Sequence, residues 1–255
     1  MPDIIPLQNS TVYGPIRSRR LGNSLGINVL PLSHKVCSSN CAYCQYGWTL
    51  PGRSQERLKT AEELLAEIGE SFQRLAREGT RIDCVTLAGN GEPTLHPELE
   101  ALVTGLKRLR DVYFPSAQVG ILSDATQAMR PRVRKALELL DVRYMKFDAA
   151  DEETWRRIND PLGKVEFRAM VDAITSLPGV ILQSMFMQGS VDNTDEPHLR
   201  RWIAAVGTIR PLSVQVYTVD RGTADPGIAK VPREKLQAIA DRLTNATGIP
   251  ADVFE

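Results

Sequence analysis

Three cysteines stand close together in the run Cys37-Ser38-Ser39-Asn40-Cys41-Ala42-Tyr43-Cys44. Thiolates at C-x3-C-x2-C spacing can wrap one face of an iron–sulfur cubane and leave its fourth iron without a protein ligand. Electron-carrying clusters take a complete set of protein ligands, so an open iron points to chemistry performed at that iron. Two other readings fit the spacing. His34 precedes Cys37 by three residues, which allows a tetrahedral Cys3His zinc site, and the three cysteines can also be metal-free. Cys84 stands alone in an apolar run and reads as a small buried hydrophobe. Such uneven placement argues against a disulfide framework and for a metal site in a reducing compartment, so the expected location is the cytoplasm.

Other chemistry-bearing residues fall at the ends of apolar runs. Gly89 and Gly91 flank Asn90 and precede Glu92-Pro93; paired glycines permit close backbone approach to a ligand, or a strand-to-helix turn that needs glycine for geometry alone. Lys146 and Asp148 alternate with Met145 and Phe147, and Gln215 and Tyr217 alternate with Val214 and Val216. Each alternating pair shares one face of its strand. Gln183 and Ser184 sit in a neighbouring run. Polar side chains in apolar parallel strands need partners, which a ligand, an internal Lys146–Asp148 ion pair or solvent at the strand ends can supply. Arg17, Arg19 and Arg20 form a basic knot before the first strand, and Arg221 follows the last of these runs. Their guanidinium forks suit a phosphate or carboxylate of a substrate, and a solvated basic surface is the competing reading. His34, His96 and His198 share no spacing and receive no role; Met185 and Met187 read as core or pocket lining.

The elements that must position these residues alternate in kind. Strand-like runs are expected at 24–30, 82–87, 118–122, 143–147, 180–186 and 213–218. Helix-period segments lie between and after them at 61–77, 97–109, 131–140, 152–158 with 165–176, 196–206 and 233–244, the last introduced by Pro232. A short edge strand is expected at 251–254. Six strand–helix units in series call for a parallel sheet with right-handed crossovers. The fold class is therefore α/β, a partial (β/α)6 barrel of parallel strands in a single domain, with a flat doubly wound sheet as the alternative. Residues 1–255 are read as that one domain, with an extension at 1–23 and the cysteine loop at 32–48. In either architecture a ligand sits beyond the C-terminal ends of the strands.

Composition narrows the partners. Of 255 residues, 42% are hydrophobic, and 31 Lys and Arg balance 31 Asp and Glu. No bulk charge draws the chain to nucleic acid or anionic lipid, so a small-molecule substrate is favoured, although a local basic patch leaves nucleic acid open. Residues 1–10 lack a charged start followed by an apolar run, and no stretch approaches the roughly 20 apolar residues that span a bilayer, so neither a secretory leader nor a membrane partner is expected.

The cysteine loop, with aromatic Tyr43 just before the last cysteine, resembles the signature of the radical S-adenosylmethionine superfamily. Gly89-Asn90-Gly91-Glu92-Pro93 is similar to that superfamily's Gly-Gly-Glu-Pro motif. The runs at 13–31, 89–97 and 214–221 resemble one branch within it, small iron–sulfur oxidoreductases similar to the core of the wyosine-base synthases. The resemblance covers nearly the whole chain. It implies a six-unit partial barrel with a [4Fe–4S] cluster on Cys37, Cys41 and Cys44. It also implies S-adenosylmethionine bound at the open iron and cleaved reductively to a 5′-deoxyadenosyl radical that takes hydrogen from an organic substrate. Residues implied at the cofactor are Tyr43 against the adenine, the turn Gly89, Asn90, Gly91 and Glu92, then Ser123, Asp148 at the ribose, Gln183, Ser184, Gln215 and Tyr217. Glu92 is also read as a brace for the cluster loop. Similar proteins show Thr-Asn-Gly where this chain has Ser123-Asp124-Ala125, so Asp124 is assigned with Arg17, Arg19, Arg20, Lys146 and Arg221 to the substrate. The substrate expected is a small metabolite with an anionic group, and the reductant a donor such as flavodoxin or ferredoxin. A tRNA or nucleotide base modifier and an electron-transfer iron–sulfur protein are the alternatives. The wyosine-type enzymes carry a second cluster, for which this chain has no further cysteine group.

Overall fold

The structure, a computed structural model, describes residues 4–50 and 56–255. In chain order its elements are β1 (Val12–Ser18), β2 (Gly22–Ile27), α1 (Ala61–Arg77), β3 (Cys84–Leu87), α2 (Leu99–Tyr113), β4 (Gln118–Ser123), α3 (Pro131–Leu139), β5 (Val142–Lys146), α4 (Glu152–Asn159), α5 (Phe167–Ser176), β6 (Val180–Met185), β7 (Gln188–Gly189), α6 (Glu196–Ile209), β8 (Ser213–Tyr217), β9 (Ile228–Ala229), α7 (Arg233–Thr247) and β10 (Ala251–Phe254). Eight strands form one sheet in the order β1-β2-β3-β4-β5-β6-β8-β10. Within this sheet the pairing is parallel from β2 onward and only β1 runs antiparallel, while β7 and β9 pair antiparallel apart from it. The sheet curls into a half-barrel within a single α/β domain, as the alternation of strand and helix periods predicts; the flat alternative is not adopted.

The helices form where local signals agree. In α1, Thr60 accepts from the Glu63 amide while the Glu63 carboxylate accepts from the Thr60 amide, satisfying two otherwise orphaned donors. Leu64, Ile68, Phe72 and Leu75 then recur on one face and are buried against the sheet. Each such side chain contributes about 1.5–3 kcal/mol by leaving water. The sheet's alternation divides its two faces in the same way. Val85, Leu87, Val119, Ile121, Met145, Leu182, Val214 and Val216 enter the main core with the helices. On the other, concave face, Cys84, Val142 and Tyr144 pack with Leu21, Leu122 and Ile181.

Differences from expectation lie at the edges. The strand expected at 24–30 begins at Gly22 and ends at Ile27, where Asn28 turns its side chain to the Leu30 carbonyl and the Asn90 amide. Residues 12–18, read within an extension, form β1 and cover the free edge of β2. No alternating pattern announces β1, because much of it is exposed. The expected edge strand at 251–254 is β10, in register with β8 from Ala251 opposite Val214 to Phe254 opposite Tyr217.

Candidate active site

The cysteine loop leaves the C-terminal end of β2 and is held from three sides. Val36 donates its amide to the Asn90 carbonyl at 2.9 Å, and its carbonyl accepts from the Glu92 amide at 3.0 Å. A Cβ on Gly91, where φ is +141°, would stand 1.7 Å from the Val36 carbonyl oxygen. Only glycine permits the two loops to meet so closely. On the second side, Asn40 and Ala42 donate their amides to the Asp160 and Ile158 carbonyls at the end of α4. On the third, the Asp225 amide donates to the Ala42 carbonyl at 2.9 Å.

Cys37, Cys41 and Cys44 are free, half-buried thiols on this loop. Burial pushes Cys41 up to about 12, with the neighbouring Cys44 adding to the rise, and it raises Cys37 with Asp124 contributing. Thiols so placed become stable thiolates only against cationic charge such as iron supplies. The surroundings provide donors as well: Lys35 Nζ lies 3.3 Å from Cys44 Sγ, and Asn159 Nδ2 lies 3.4 Å from Cys41 Sγ. This donor set fits an iron–sulfur cluster. The fit is one of ligand type, because among the described residues no three His, Cys, Asp or Glu side chains already converge in the positions of metal ligands. His34 instead bonds Ser33 Oγ at 3.0 Å and faces Glu56 at 3.8 Å, so the Cys3His arrangement allowed by the spacing is not formed.

Behind the loop lies a carboxylate relay. Buried Glu92 accepts from the Thr94 amide and hydroxyl and from Ser123 Oγ on one oxygen, and from the Asp124 amide on the other. Burial, with the nearby Asp124 charge, pushes the Glu92 carboxyl up to about 8 against the pull of those donors. Asp124 in turn accepts from Ser38 Oγ at 2.8 Å and Ser39 Oγ at 2.7 Å on Oδ2, and from Thr126 on Oδ1. Ser38 and Ser39 are the residues just after Cys37. The support expected from Glu92 thus reaches the cysteine loop through Asp124.

The concave face carries the remaining polar residues. Asp148 accepts from the Met185 amide and Lys146 Nζ on Oδ1, and from Tyr43 Oη and Asn159 Nδ2 on Oδ2, between 2.6 and 3.0 Å. Lys146 Nζ also donates to Tyr217 Oη at 2.7 Å and lies 4.7 Å from the ring centroids of both Tyr43 and Tyr217. Burial pulls the Lys146 ammonium down, but Asp148 and Tyr217 outweigh it and leave it raised. Burial and Asp148 raise the Tyr43 phenol. The internal ion pair, one of the readings open from sequence, is therefore formed. Gln183 and Gln215 face each other across β6 and β8, amide to amide at 2.7 Å.

The structure does not bring every expected residue to this face. Ser184, adjacent to Gln183, points the opposite way, where it donates to the Phe147 carbonyl and accepts from the Trp202 indole beneath α6. Asn90 is 0% exposed, and its amide is spent on Gln8 and Pro31. Ser123 Oγ serves Glu92 and the Ala125 amide. Arg17 is exposed, Arg19 pairs with Asp220 at 3.0 Å in solvent, and Arg221 reaches Gln45 at the surface. Arg20 alone of the four turns inward, its Cζ 4.4 Å from the Tyr217 ring centroid. Sequence reasoning missed Lys35 and Asn159. Lys35 stands two residues before Cys37 and could have been suspected; Asn159 carries no local signal, being 118 positions from the cysteine it meets. A separate groove of about 580 Å³ between α1, α2 and α3, lined in part by Leu65, His96, Arg108 and Arg132, holds none of these residues.

A half-barrel with a three-cysteine loop at the mouth of its polar lumen defines the class of enzymes that pair an iron–sulfur centre with S-adenosylmethionine. The family profile of the Radical SAM superfamily matches residues 33–199, and the chain belongs to that superfamily and is an enzyme of it. Among curated proteins, it is 30% identical over 231 residues to a UPF0026 protein of Helicobacter pylori, covering 87% of this chain and 69% of that one. It is also 31% identical over 246 residues to a protein of Brachyspira hyodysenteriae called GTPase Obg, covering 92% of this chain but only 32% of that protein's length. Among solved structures, TYW1 with a lysine–pyruvate adduct bound matches with a TM-score of 0.64 at 15% identity, covering 88% of this chain and 74% of that one. Streptococcus suis SuiB bound to S-adenosylmethionine matches with a TM-score of 0.63 at 11% identity, covering 87% and 49%. Likeness at these identities concerns the fold. Enzymes of the superfamily act on a substrate and draw on a reductant. Among the described residues no helix is long and apolar enough to cross a membrane.

Proposed function

We propose that Cys37, Cys41 and Cys44 hold a [4Fe–4S] cluster and that the chain uses it on S-adenosylmethionine to abstract hydrogen from a small organic substrate in the half-barrel lumen. The observation that carries this reading is the meeting of the three-cysteine loop, through Cys41 and Tyr43, with Asn159 and Asp148 at one mouth of the sheet. When bound, the cluster supplies the electron that cleaves the sulfonium and releases a 5′-deoxyadenosyl radical.

The chain's own residues divide into contacts and supports. Tyr43 offers its ring to the adenine and is held in place by Asp148 and Asn159. Gly89 and Gly91, both partly exposed, are assigned to the methionine end, while Asn90, Glu92 and Ser123 keep that turn and the cysteine loop in register. Gln183, Gln215 and Tyr217 face the lumen and are available to cofactor or substrate; Asp148 positions Tyr43 and Lys146, and Ser184 braces the strand from behind. Lys35 and Asn159 direct N–H groups at cysteine sulfurs, an interaction that tunes a cluster's potential. Balanced charge favours a small metabolite over tRNA, a flavodoxin or ferredoxin is the reductant of choice, and the thiol site requires a reducing compartment such as the cytoplasm.

The test is anaerobic reconstitution with iron and sulfide, reduction with dithionite, and assay of 5′-deoxyadenosine from S-adenosylmethionine. Formation that needs all three cysteines, lost in Cys41→Ala, is the expected result. A protein that takes up about four irons but neither binds nor cleaves S-adenosylmethionine overturns the proposal, as does a colourless protein that holds zinc.

A further inference from the structure

We propose that the floor of the lumen is a carboxylate-binding site in which Arg20 receives the carboxylate of a small monoanionic substrate. This rests on the reading of the lumen as the substrate chamber. The turn joining β1 to β2 sends its arginines in different directions. Arg19 goes to Asp220 in solvent, whereas Arg20 and Leu21 enter the concave face. Leu21, like Leu122 and Ile181, packs against Cys84, Val142 and Tyr144, and so closes the lumen at the end away from the cysteine loop with apolar surface. Above it, Arg20 lies 4.4 Å over the Tyr217 ring. Its Nη1 is fully buried and has no hydrogen-bond partner among the described residues. Folded proteins rarely leave a buried N–H, and still less a charged one, without an acceptor.

The charge balance selects the ligand. Lys146, the other cation that the described residues place in the lumen, is neutralised by Asp148 at 2.9 Å, and its remaining reach goes to Tyr217 Oη. Arg20 therefore contributes one unmatched positive charge, which one carboxylate balances and a dianionic phosphate exceeds. A planar guanidinium fork with a free N–H edge is also the geometry that receives a carboxylate in a bidentate manner. The ring of Tyr217 and the apolar floor around Leu21 suit a short aliphatic stem on that carboxylate.

Butyrate is the probe, with inorganic phosphate as comparison, titrated at constant ionic strength into the reduced chain while the thermal midpoint and binding heat are recorded. Butyrate is expected to raise the midpoint of the wild type and of Arg168→Ala, which removes an equal charge from the exposed face of α5. In Arg20→Met its affinity falls at least about tenfold, the loss expected for a charge-assisted pair, and the unliganded midpoint is no lower than that of the wild type. A merely structural arginine would lower that midpoint. Should Arg20→Met fail to fold, Arg20→Lys keeps the charge without the fork and is likewise expected to bind butyrate more weakly. Equal butyrate affinity in the folded Arg20 variants, no response in the wild type, or tighter binding of phosphate than of butyrate overturns the proposal. The assay is independent of cofactor cleavage: butyrate binding without 5′-deoxyadenosine formation sinks the parent reading alone, and the reverse sinks this one alone.

Discussion

Replacing Asp148 by Asn should reverse the pH dependence that Lys146 gives to stability. The two side chains are 14% and 0% exposed and 2.9 Å apart, so solvent screens the pair little. At an effective dielectric of about 20 their gross attraction is about 6 kcal/mol, and breaking one partner of such a buried pair costs about 3–5 kcal/mol. In the wild type the Lys146 ammonium is raised, because Asp148 and Tyr217 outweigh burial. A raised ammonium contributes stability that is complete below its unfolded value, about 10.4, and is lost as pH climbs through the folded value. In Asp148→Asn the largest opposing influence, burial, takes over and depresses the ammonium. Folding then favours the neutral amine, and stability grows as pH rises toward about 10.4. Urea unfolding of the reduced chain at pH 7 and pH 9.5 measures this. Asp148→Asn should lose about 3–5 kcal/mol at pH 7 and regain part of it at pH 9.5. Lys146→Met should cost less, because Asp148 keeps three other donors, and the double variant should fall short of the summed losses by at least about 2 kcal/mol. Additive losses, or an Asp148→Asn protein that gains nothing at the higher pH, would refute the reasoning.

Other perturbations follow from the loop and its supports. Asp124→Ala strips the acceptor from Ser38 and Ser39 and should cost about 1–3 kcal/mol in the half-buried setting; iron bound after reconstitution should be lost faster to a chelator than in the wild type, and equal retention would argue against the staple. Gly91→Ala places a methyl 1.7 Å from the Val36 oxygen and forces the two loops apart; circular dichroism is expected to show a folded protein whose iron uptake is impaired, and normal uptake would contradict the close contact. Glu92, with its carboxyl raised to about 8, favours the folded state when protonated. That contribution is complete below about 4.3, falls as pH rises to about 8 and is flat beyond, a span worth about 3–5 kcal/mol. Glu92→Gln should flatten the stability profile in this window, and an unchanged profile would show that the four donors keep Glu92 ionised throughout.

What the sequence determined by itself was local or periodic. The spacing of Cys37, Cys41 and Cys44 raises the expectation of a metal site, because three potential ligands on one short loop need no knowledge of the rest of the chain. The alternation of strand and helix periods was enough for a parallel α/β sheet, with a partial barrel expected ahead of a flat one, since burial of one helix face and of both faces of a strand writes itself into residue spacing. Even the pairing of Lys146 with Asp148 was open to reading, two residues apart on one face. Tertiary structure alone decided how the polar groups were spent. Tyr43 and Asp148 meet across 105 positions, and Asn159 reaches Cys41 across 118. Asn90 is consumed by Gln8 and Pro31, and Ser184 faces α6 while its neighbour Gln183 faces the lumen. Arg17, Arg19 and Arg20 are equivalent as sequence, yet the β1–β2 turn sends only Arg20 inward. A hydrogen bond is short and directional, so its partner depends on where distant segments are brought within about 3 Å. Spacing along the chain carries no record of that.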